Sequence, residues 1–193
     1  MLTLGVVMGV AVVIGLLALA YLGREALGAQ STVAPFVAPQ GLTPAQVPNA
    51  MIILREFHAA GLGWMGPAAI ANALAESNLN ASAVGDGGRS VGLFQLNSST
   101  GAAGEGMSEE LRMDPVVNTR RIIEVVRAMG GEQLDPTWTH GQVTTWFAAD
   151  VENCADCGGA WAKVNNNGST ADIPRRLRLL DRAYPGYRSE RAR

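Results

Sequence analysis

Residues 76–97 read ESNLNASAVGDGGRSVGLFQLN, and this stretch decides the fold. It begins with Glu76, at the end of an alanine-rich run whose apolar spacing predicts a helix. Residues 85–89 form a glycine-rich turn cluster, and residues 90–97 form a short extended segment. Within that segment Gly92-Leu93-Phe94-Gln95 is interpreted as strand-like. The stretch therefore predicts a helix followed by a small β-hairpin.

Helical spacing continues on both sides of this stretch. Ile53 and Phe57 fall on one face of an earlier helix that Gly61 ends. Pro67 suits the first turn of the helix that carries Glu76, and Asp114 suits the N-cap of a later one. Further helix candidates cover residues 144–151 and 173–184. The predicted class is mainly α, as an α+β domain with one small hairpin.

Composition and charge limit the function classes. A chain of 193 residues allows one ordinary domain with an appendage. Its net charge of −2 does not indicate a nucleic-acid binder. Residues 172–193 hold seven arginines against three acids, which predicts a basic C-terminal tail. This tail either holds an anionic polymer or lipid surface, or is a solvated helix face with a frayed end.

The N-terminal segment has the composition of a membrane anchor. Residues 1–22 carry no charged side chain, and as a helix they would span about 33 Å, enough for a bilayer core. A cleaved signal peptide is the alternative, since Ala18-Leu19-Ala20 fits a cleavage site. A single transmembrane helix is preferred because no Lys or Arg precedes the apolar run. Residues 23–48, rich in proline, are interpreted as a flexible tether to a domain at residues 49–193.

The two cysteines lie close together in Cys154-Ala155-Asp156-Cys157. One such pair cannot fill a four-ligand zinc site, and neither histidine lies at a suggestive spacing, so no metal or cofactor is predicted. A local disulfide between Cys154 and Cys157 and a pair of free thiols both remain open.

Glu76 has a position that suits acid catalysis of glycoside cleavage. That reaction needs a carboxylic acid that is still protonated near neutral pH. The partial negative charge at a helix C-terminus and burial in a cleft both disfavour ionisation. Taken alone, a glutamate on an alanine-rich helix is more often a surface residue. Its sequence neighbours decide between the two interpretations.

Those neighbours resemble the active-site signature of goose-type lysozymes and soluble lytic transglycosylases. Glu76-Ser77 resembles their Glu-Ser dipeptide, and Gly92-Leu93-Phe94-Gln95 resembles their Gly-Leu-Met-Gln segment. Residues 114–118, Asp-Pro-Val-Val-Asn, resemble a downstream motif that opens a helix. The resemblance covers about residues 66–130, and Trp146-Phe147 loosely resembles phage-type members.

The resemblance implies roles for individual residues. Glu76 would be the general acid. The residues expected to contact or line the sugar subsites are Ser77, Ser90, Gly92, Phe94, Gln95 and Asn97. Asp86 resembles a water-positioning aspartate, although a turn residue bonding its own backbone is an equal alternative. Asn97 stands where relatives can carry a further aspartate, and an amide cannot act as a base. Glu152 is interpreted as a structural ion-pair partner.

The implied function is cleavage of peptidoglycan glycan strands by a membrane-anchored enzyme. A hydrolase needs a second carboxylate to activate water, whereas a lytic transglycosylase uses the C6 hydroxyl of the substrate. Both reactions stay open. The expected setting is a virion membrane or a bacterial envelope, with the domain outside the cytoplasm and assembly proteins as further partners. The alternatives are a glycan-binding module without activity and a structural membrane protein.

Overall fold

The structure, a computed structural model, describes residues 37–152 and 166–193. Within these ranges the chain forms six α-helices and a three-stranded antiparallel sheet. The helices are α1 (Val47–Ala59), α2 (Gly66–Ser77), α3 (Glu109–Met113), α4 (Pro115–Ala128), α5 (His140–Trp146) and α6 (Asn166–Ala183). A π-helical turn, Phe147–Glu152, continues α5. The strands are β1 (Val84–Gly85), β2 (Ser90–Val91) and β3 (Leu96–Asn97). The predicted mainly α class with a small β element is confirmed.

Helix α2 lies in the core of the domain. It packs against α1, α5 and α6, and every residue from Gly66 to Leu74 is buried. An alanine-rich surface allows these neighbours to approach closely, and a helix surrounded by protein is apolar on all sides. The surrounding helices therefore bury more than one face of α2.

The ends of α1 and α2 follow the signals in the sequence. Ile53 and Phe57 are fully buried, as their spacing predicted. Gly61, just after α1, adopts a φ of +76°, which a glycine accepts without strain. Pro67 lies in the first turn of α2. The predicted end of α1 and the predicted start and end of α2 are confirmed to within two residues.

The prediction that residues 92–95 are strand-like is wrong. Strand β2 pairs with β1 on one side and with β3 on the other, with Ser90 opposite Asn97. Residues 92–95 form the turn between β2 and β3 and are not a strand. Gly92 and Gln95 have φ values of +87° and +47°, which end the extended conformation. The hairpin was predicted; the added strand β1 was not.

Helix α4 begins at the predicted cap. The Asp114 carboxylate accepts hydrogen bonds from the backbone N–H groups of Val116 and Val117, at 2.8 and 2.9 Å. These are two of the donors that the first turn of a helix leaves without partners. Asp114 as N-cap is confirmed.

The domain begins earlier than the predicted boundary at residue 49. The compact unit starts at Ala38. The backbone N–H of Gln40 donates to the carbonyl of Ala183 at 2.7 Å, and Leu42 packs against the core. Residues 40–48 therefore belong to the domain, and the predicted tether over residues 23–48 extends too far.

The C-terminal residues are folded against the domain. The backbone N–H of Ala192 donates to the carbonyl of Trp138 at 2.8 Å, and Arg191 forms a β-bridge with Thr139. The Arg193 guanidinium lies over the Trp64 ring, 4.0 Å from its centroid. The expectation of a frayed basic tail is therefore wrong, because these residues make specific backbone and cation–π contacts.

The predicted membrane anchor and the predicted cysteine pair lie in other parts of the chain. In the ranges 37–152 and 166–193, no helix combines the length and apolar character needed to cross a bilayer. The predicted anchor, residues 1–22, lies outside the described residues. Cys154 and Cys157 also lie outside them, so their pairing stays a prediction.

Candidate active site

Glu76 lies in the last turn of α2, two residues before the C-cap Asn78. Asn78 adopts a left-handed conformation with a φ of +56°, which turns the chain sharply toward the sheet. The Glu76 side chain is 23% exposed, so solvent reaches a carboxylate that otherwise lies among buried residues. This is the predicted position of the acid at the end of its helix.

The Glu76 carboxylate forms an ion pair with Arg176 of α6. The Nη2 group of Arg176 donates to Oε1 of Glu76. The Arg176 residue is 7% exposed, and its Nη1 group donates to Oδ1 of Asn72 at 2.7 Å. Asn72 in turn donates to the carbonyl of Ala68 at 2.8 Å. A buried guanidinium therefore connects the end of α2 to α6 through one carboxylate and one amide.

Glu152, at the end of the π-helical turn, is a third member of this group. Its Oε1 atom is buried without a hydrogen-bond partner. Burial raises the pKa of Glu152 well above its usual range, and the negative charge of Glu76 raises it further, while Arg176 opposes both. The interpretation of Glu152 as a structural ion-pair partner is not supported by this arrangement. We call Glu76, Glu152 and Arg176 the carboxylate–arginine cluster.

Ser77, which follows Glu76, connects α2 to the hairpin through a hydrogen bond. The Ser77 hydroxyl lies within hydrogen-bonding distance of two carbonyls, that of Leu93 at 2.8 Å and that of Ala73 at 3.1 Å. Ser77 is 9% exposed. It therefore holds the hairpin turn beside Glu76, and its observed contacts are with the protein backbone.

Gly92 and Phe94 pack into the protein from the same turn. A Cβ atom on Gly92 would overlap the carbonyl oxygen of Arg112, so no larger residue fits. Phe94 is 2% exposed, with its ring centroid 6.1 Å from that of Phe147. Their side-chain positions do not present a surface for sugar contact. Burial gives them a packing role in forming the turn.

The side chain of Asn118 on α4 holds this turn through hydrogen bonds to backbone groups. Its Oδ1 accepts from the backbone N–H of Phe94 at 3.1 Å. Its Nδ2 group donates to the carbonyls of Val91 and Arg112, at 3.2 and 2.7 Å. The Asp-Pro-Val-Val-Asn motif therefore has two structural functions: its aspartate caps α4, and its asparagine satisfies the backbone of the hairpin.

Asp86, Ser90 and Asn97 form a second polar group on the sheet. Asp86 is exposed in a 3₁₀ turn, with a φ of +48°. Its Oδ2 accepts from the buried hydroxyl of Ser90, which accepts from Nδ2 of Asn97 at 3.1 Å. Gln95 is partly exposed and donates to the carbonyls of Gly92 and Ala83, at 3.0 and 3.3 Å. Asp86 thus presents an oriented carboxylate to solvent.

Sequence reasoning missed Arg176, although one signal could have found it. Arg176 has the spacing of the buried positions Leu180, Ala183 and Tyr184, at i, i+4, i+7 and i+8. An arginine on the apolar face of a helix needs a buried partner. Glu152 was singled out from the sequence as an ion-pair partner, but no local pattern indicated that it lies beside Glu76.

The described residues also form an open cavity of about 510 Å³. Its lining includes Trp138, Trp146, Leu177 and Arg188, and neither Glu76 nor Asp86. Its volume suits a small ligand. Nowhere in residues 37–152 and 166–193 is a group of His, Cys, Asp or Glu side chains placed to hold a metal ion.

Comparison with known proteins bears on the part of the chain that holds Glu76 and the hairpin. No significant match was found among curated proteins or among solved structures. Residues 58–140 match a family model described as a lysozyme-like domain. The matched residues include Glu76, Asp86 and the hairpin, but not Glu152 or Arg176. Over residues 58–140 the chain is therefore similar to the lysozyme-like superfamily, as its motifs indicated.

Proposed function

We propose that this protein cleaves the MurNAc–GlcNAc glycan strands of peptidoglycan, as a lytic transglycosylase or a muramidase. The lysozyme-like domain match supports a glycosidase or transglycosylase at the level of the family. The observation that carries the proposal is the place of Glu76. A half-buried carboxylate stands at the end of α2, directly beside a hairpin turn fixed by Ser77 and Asn118.

In this proposal Glu76 donates a proton to the oxygen of the scissile glycosidic bond. General acid catalysis requires a carboxyl group that substrate can reach and that the protein holds in place. The partial exposure of Glu76 meets the first requirement, and its contact with Arg176 meets the second. A protein that only bound glycans would not need an acid at this point.

Asp86 distinguishes the two reactions. If the protein is a muramidase, Asp86 is the carboxylate that positions water, because it is exposed and its Oδ2 is oriented by Ser90. Asn97 cannot serve as the base, since an amide is not basic; its Nδ2 donates to Ser90. If the protein is a transglycosylase, the substrate's C6 hydroxyl replaces water and Asp86 is dispensable. Gln95 is the proposed sugar contact, and the role proposed for the others is to hold the hairpin and its turn in place: Ser77, Ser90, Gly92, Phe94 and Asn97.

Zymography and turbidity loss with purified peptidoglycan test the acid. For the full-length chain carrying Glu76→Gln, we expect the rate to fall by roughly 10²-fold to 10⁴-fold, with the folded structure retained. The matched control is Glu124→Gln, which removes another arginine-paired glutamate on the surface of α4. Equal clearing by Glu76→Gln and the wild type would sink the assignment.

Mass spectrometry of the released fragments separates the two reactions. A transglycosylase yields 1,6-anhydro ends, and a muramidase yields reducing ends. In the muramidase case Asp86→Asn should lower the rate strongly; in the transglycosylase case it should leave the rate nearly unchanged. Reducing ends together with a fully active Asp86→Asn variant would exclude the role given to Asp86.

The proposed setting rests on the sequence alone. Residues 1–22 would anchor the chain in a membrane and the following proline-rich segment would extend the domain toward the wall, in a virion or a bacterial envelope. Membrane flotation of the full-length chain, compared with a chain lacking residues 1–22, tests this. Both forms remaining in the soluble fraction would contradict the anchor.

A further inference from the structure

We propose that Glu152 and Arg176 are positioning residues that set the proton state of Glu76, with Arg176 changing partner from Glu76 to Glu152 as Glu76 takes up a proton. The proposal rests on the proposed function of Glu76 as the acid. It goes beyond that function because it assigns two residues outside the matched range, on the π-helical turn and on α6.

The contacts define the starting arrangement. Arg176 is held at Nη1 by Asn72 at 2.7 Å, and its Nη2 contacts Glu76. The Oε1 atom of Glu152 is buried with no partner. A buried acceptor without a donor is costly, and a nearby guanidinium is the donor best suited to it. The carboxylate–arginine cluster thus contains two carboxyl groups and one guanidinium.

The charges favour one proton within this cluster. The π-helical turn packs against α2, α4, α5 and α6. Among the described side chains, the charges of Glu76 on α2 and Arg176 on α6 act on Glu152. If both carboxyls were ionised, the three side chains of this cluster would together carry a net charge of −1, which favours a proton on one of the two carboxyls. The raised pKa of Glu152 agrees with a proton on Glu152 while Glu76 is paired.

The exchange converts Glu76 from an ion-pair partner into an acid. Glu152 releases its carboxylic proton, Glu76 gains one proton, and Nη2 of Arg176 moves from Glu76 to the new carboxylate of Glu152. One proton, one positive charge and one negative charge are present before and after. The bond from Nη1 to Asn72 lets the guanidinium pivot without leaving its buried position. Departure of the proton from Glu76 to the glycosidic oxygen completes the step.

The test is the pH dependence of activity in a Glu152→Gln variant of the full-length chain. The side-chain amide introduced by this substitution cannot ionise. It therefore cannot form an ion pair with Arg176, and it cannot supply a proton. We expect the alkaline limb of kcat/KM to move toward acid pH by about one unit. At neutral pH kcat should fall about tenfold, with KM changed by less than about twofold. Glu124→Gln, the control, should keep the wild-type profile.

Carboxyl ¹³C NMR of the wild-type chain gives a second measurement that does not depend on activity. Resonances are assigned by loss of one signal in Glu76→Gln and one in Glu152→Gln. We expect the Glu152 carboxyl to remain protonated at pH 7. If both carboxyls are ionised at pH 7, or if Glu152→Gln keeps the wild-type pH profile, the exchange is wrong.

The acid and the exchange can fail separately. A fully active Glu76→Gln variant removes the proposed acid, and the exchange with it. An inactive Glu76→Gln variant combined with a wild-type profile in Glu152→Gln removes only the exchange and leaves the proposed function standing.

Discussion

At the residue scale, Gly92 shows why a short motif can be required by packing alone. Its φ of +87° is accessible to glycine, and the space where a Cβ would stand is filled by the Arg112 carbonyl. The Gly-Leu-Phe-Gln segment therefore contains a backbone requirement as well as any contact with substrate. Loss of the backbone conformation should lower stability, whereas loss of a substrate contact should lower activity.

Replacing Gly92 by alanine should destabilise the domain by about 3 kcal/mol, because left-handed strain adds to the clash with Arg112. Gly101→Ala is the matched control: Gly101 has a φ of +81°, and a Cβ there would have no neighbour within 4 Å, so only the strain, about 1 kcal/mol, applies. Urea unfolding of both variants measures the difference. Equal losses would show that the contact with Arg112 is readily relieved.

His140 should make stability depend on pH. Burial lowers the pKa of His140 from 6.5 to about 4, and its Nδ1 has no partner. The unfolded chain therefore binds this proton more readily, so stability is complete above pH 6.5 and is lost as the pH falls toward 4. The loss should reach up to about 3 kcal/mol. His140→Gln should flatten this dependence of the unfolding free energy on pH; a slope unchanged in the variant would contradict the assignment.

At the element scale, helix α4 supports the hairpin through its first turns. Asp114 starts the helix, and four residues later Asn118 satisfies the hairpin backbone. Loss of the cap should therefore affect the sheet as well as the helix.

Asp114→Ala should cost about 1 kcal/mol of unfolding free energy, since two backbone N–H groups lose their acceptor. Asp114→Asn should retain most of that stability, because an asparagine side chain caps equally well. Chemical denaturation of the three chains gives the comparison. A similar loss in both variants would attribute the effect to charge and not to capping.

The sequence predicted those elements whose signals are local. Pro67, Gly61 and Asp114 mark helix ends because each acts on its own turn. Strand β1 was missed because two residues carry no period, and residues 92–95 were misassigned because Gln95, a non-glycine residue, adopts a positive φ. Arg176 lies 100 residues from Glu76, and only tertiary packing brings the two together.

At the scale of the whole molecule, the last residues of the chain complete the domain. Removing residues 191–193 would eliminate the bridge to Thr139, the bond from Ala192 to Trp138 and the contact of Arg193 with Trp64. We expect the Tm to fall by about 5 °C. Arg193→Ala, which keeps the Ala192 bond, should lower it by less. An unchanged Tm in the deletion would indicate that these contacts contribute nothing to folding.

The bond from Gln40 to Ala183 has a mechanical consequence. A load applied through the chain before residue 40 meets the domain at the C-terminal end of α6. It therefore pulls on the helix that carries Arg176, which packs against α2. Through Gln46, whose side chain donates to Asn78, it also reaches the end of α2 beside Glu76.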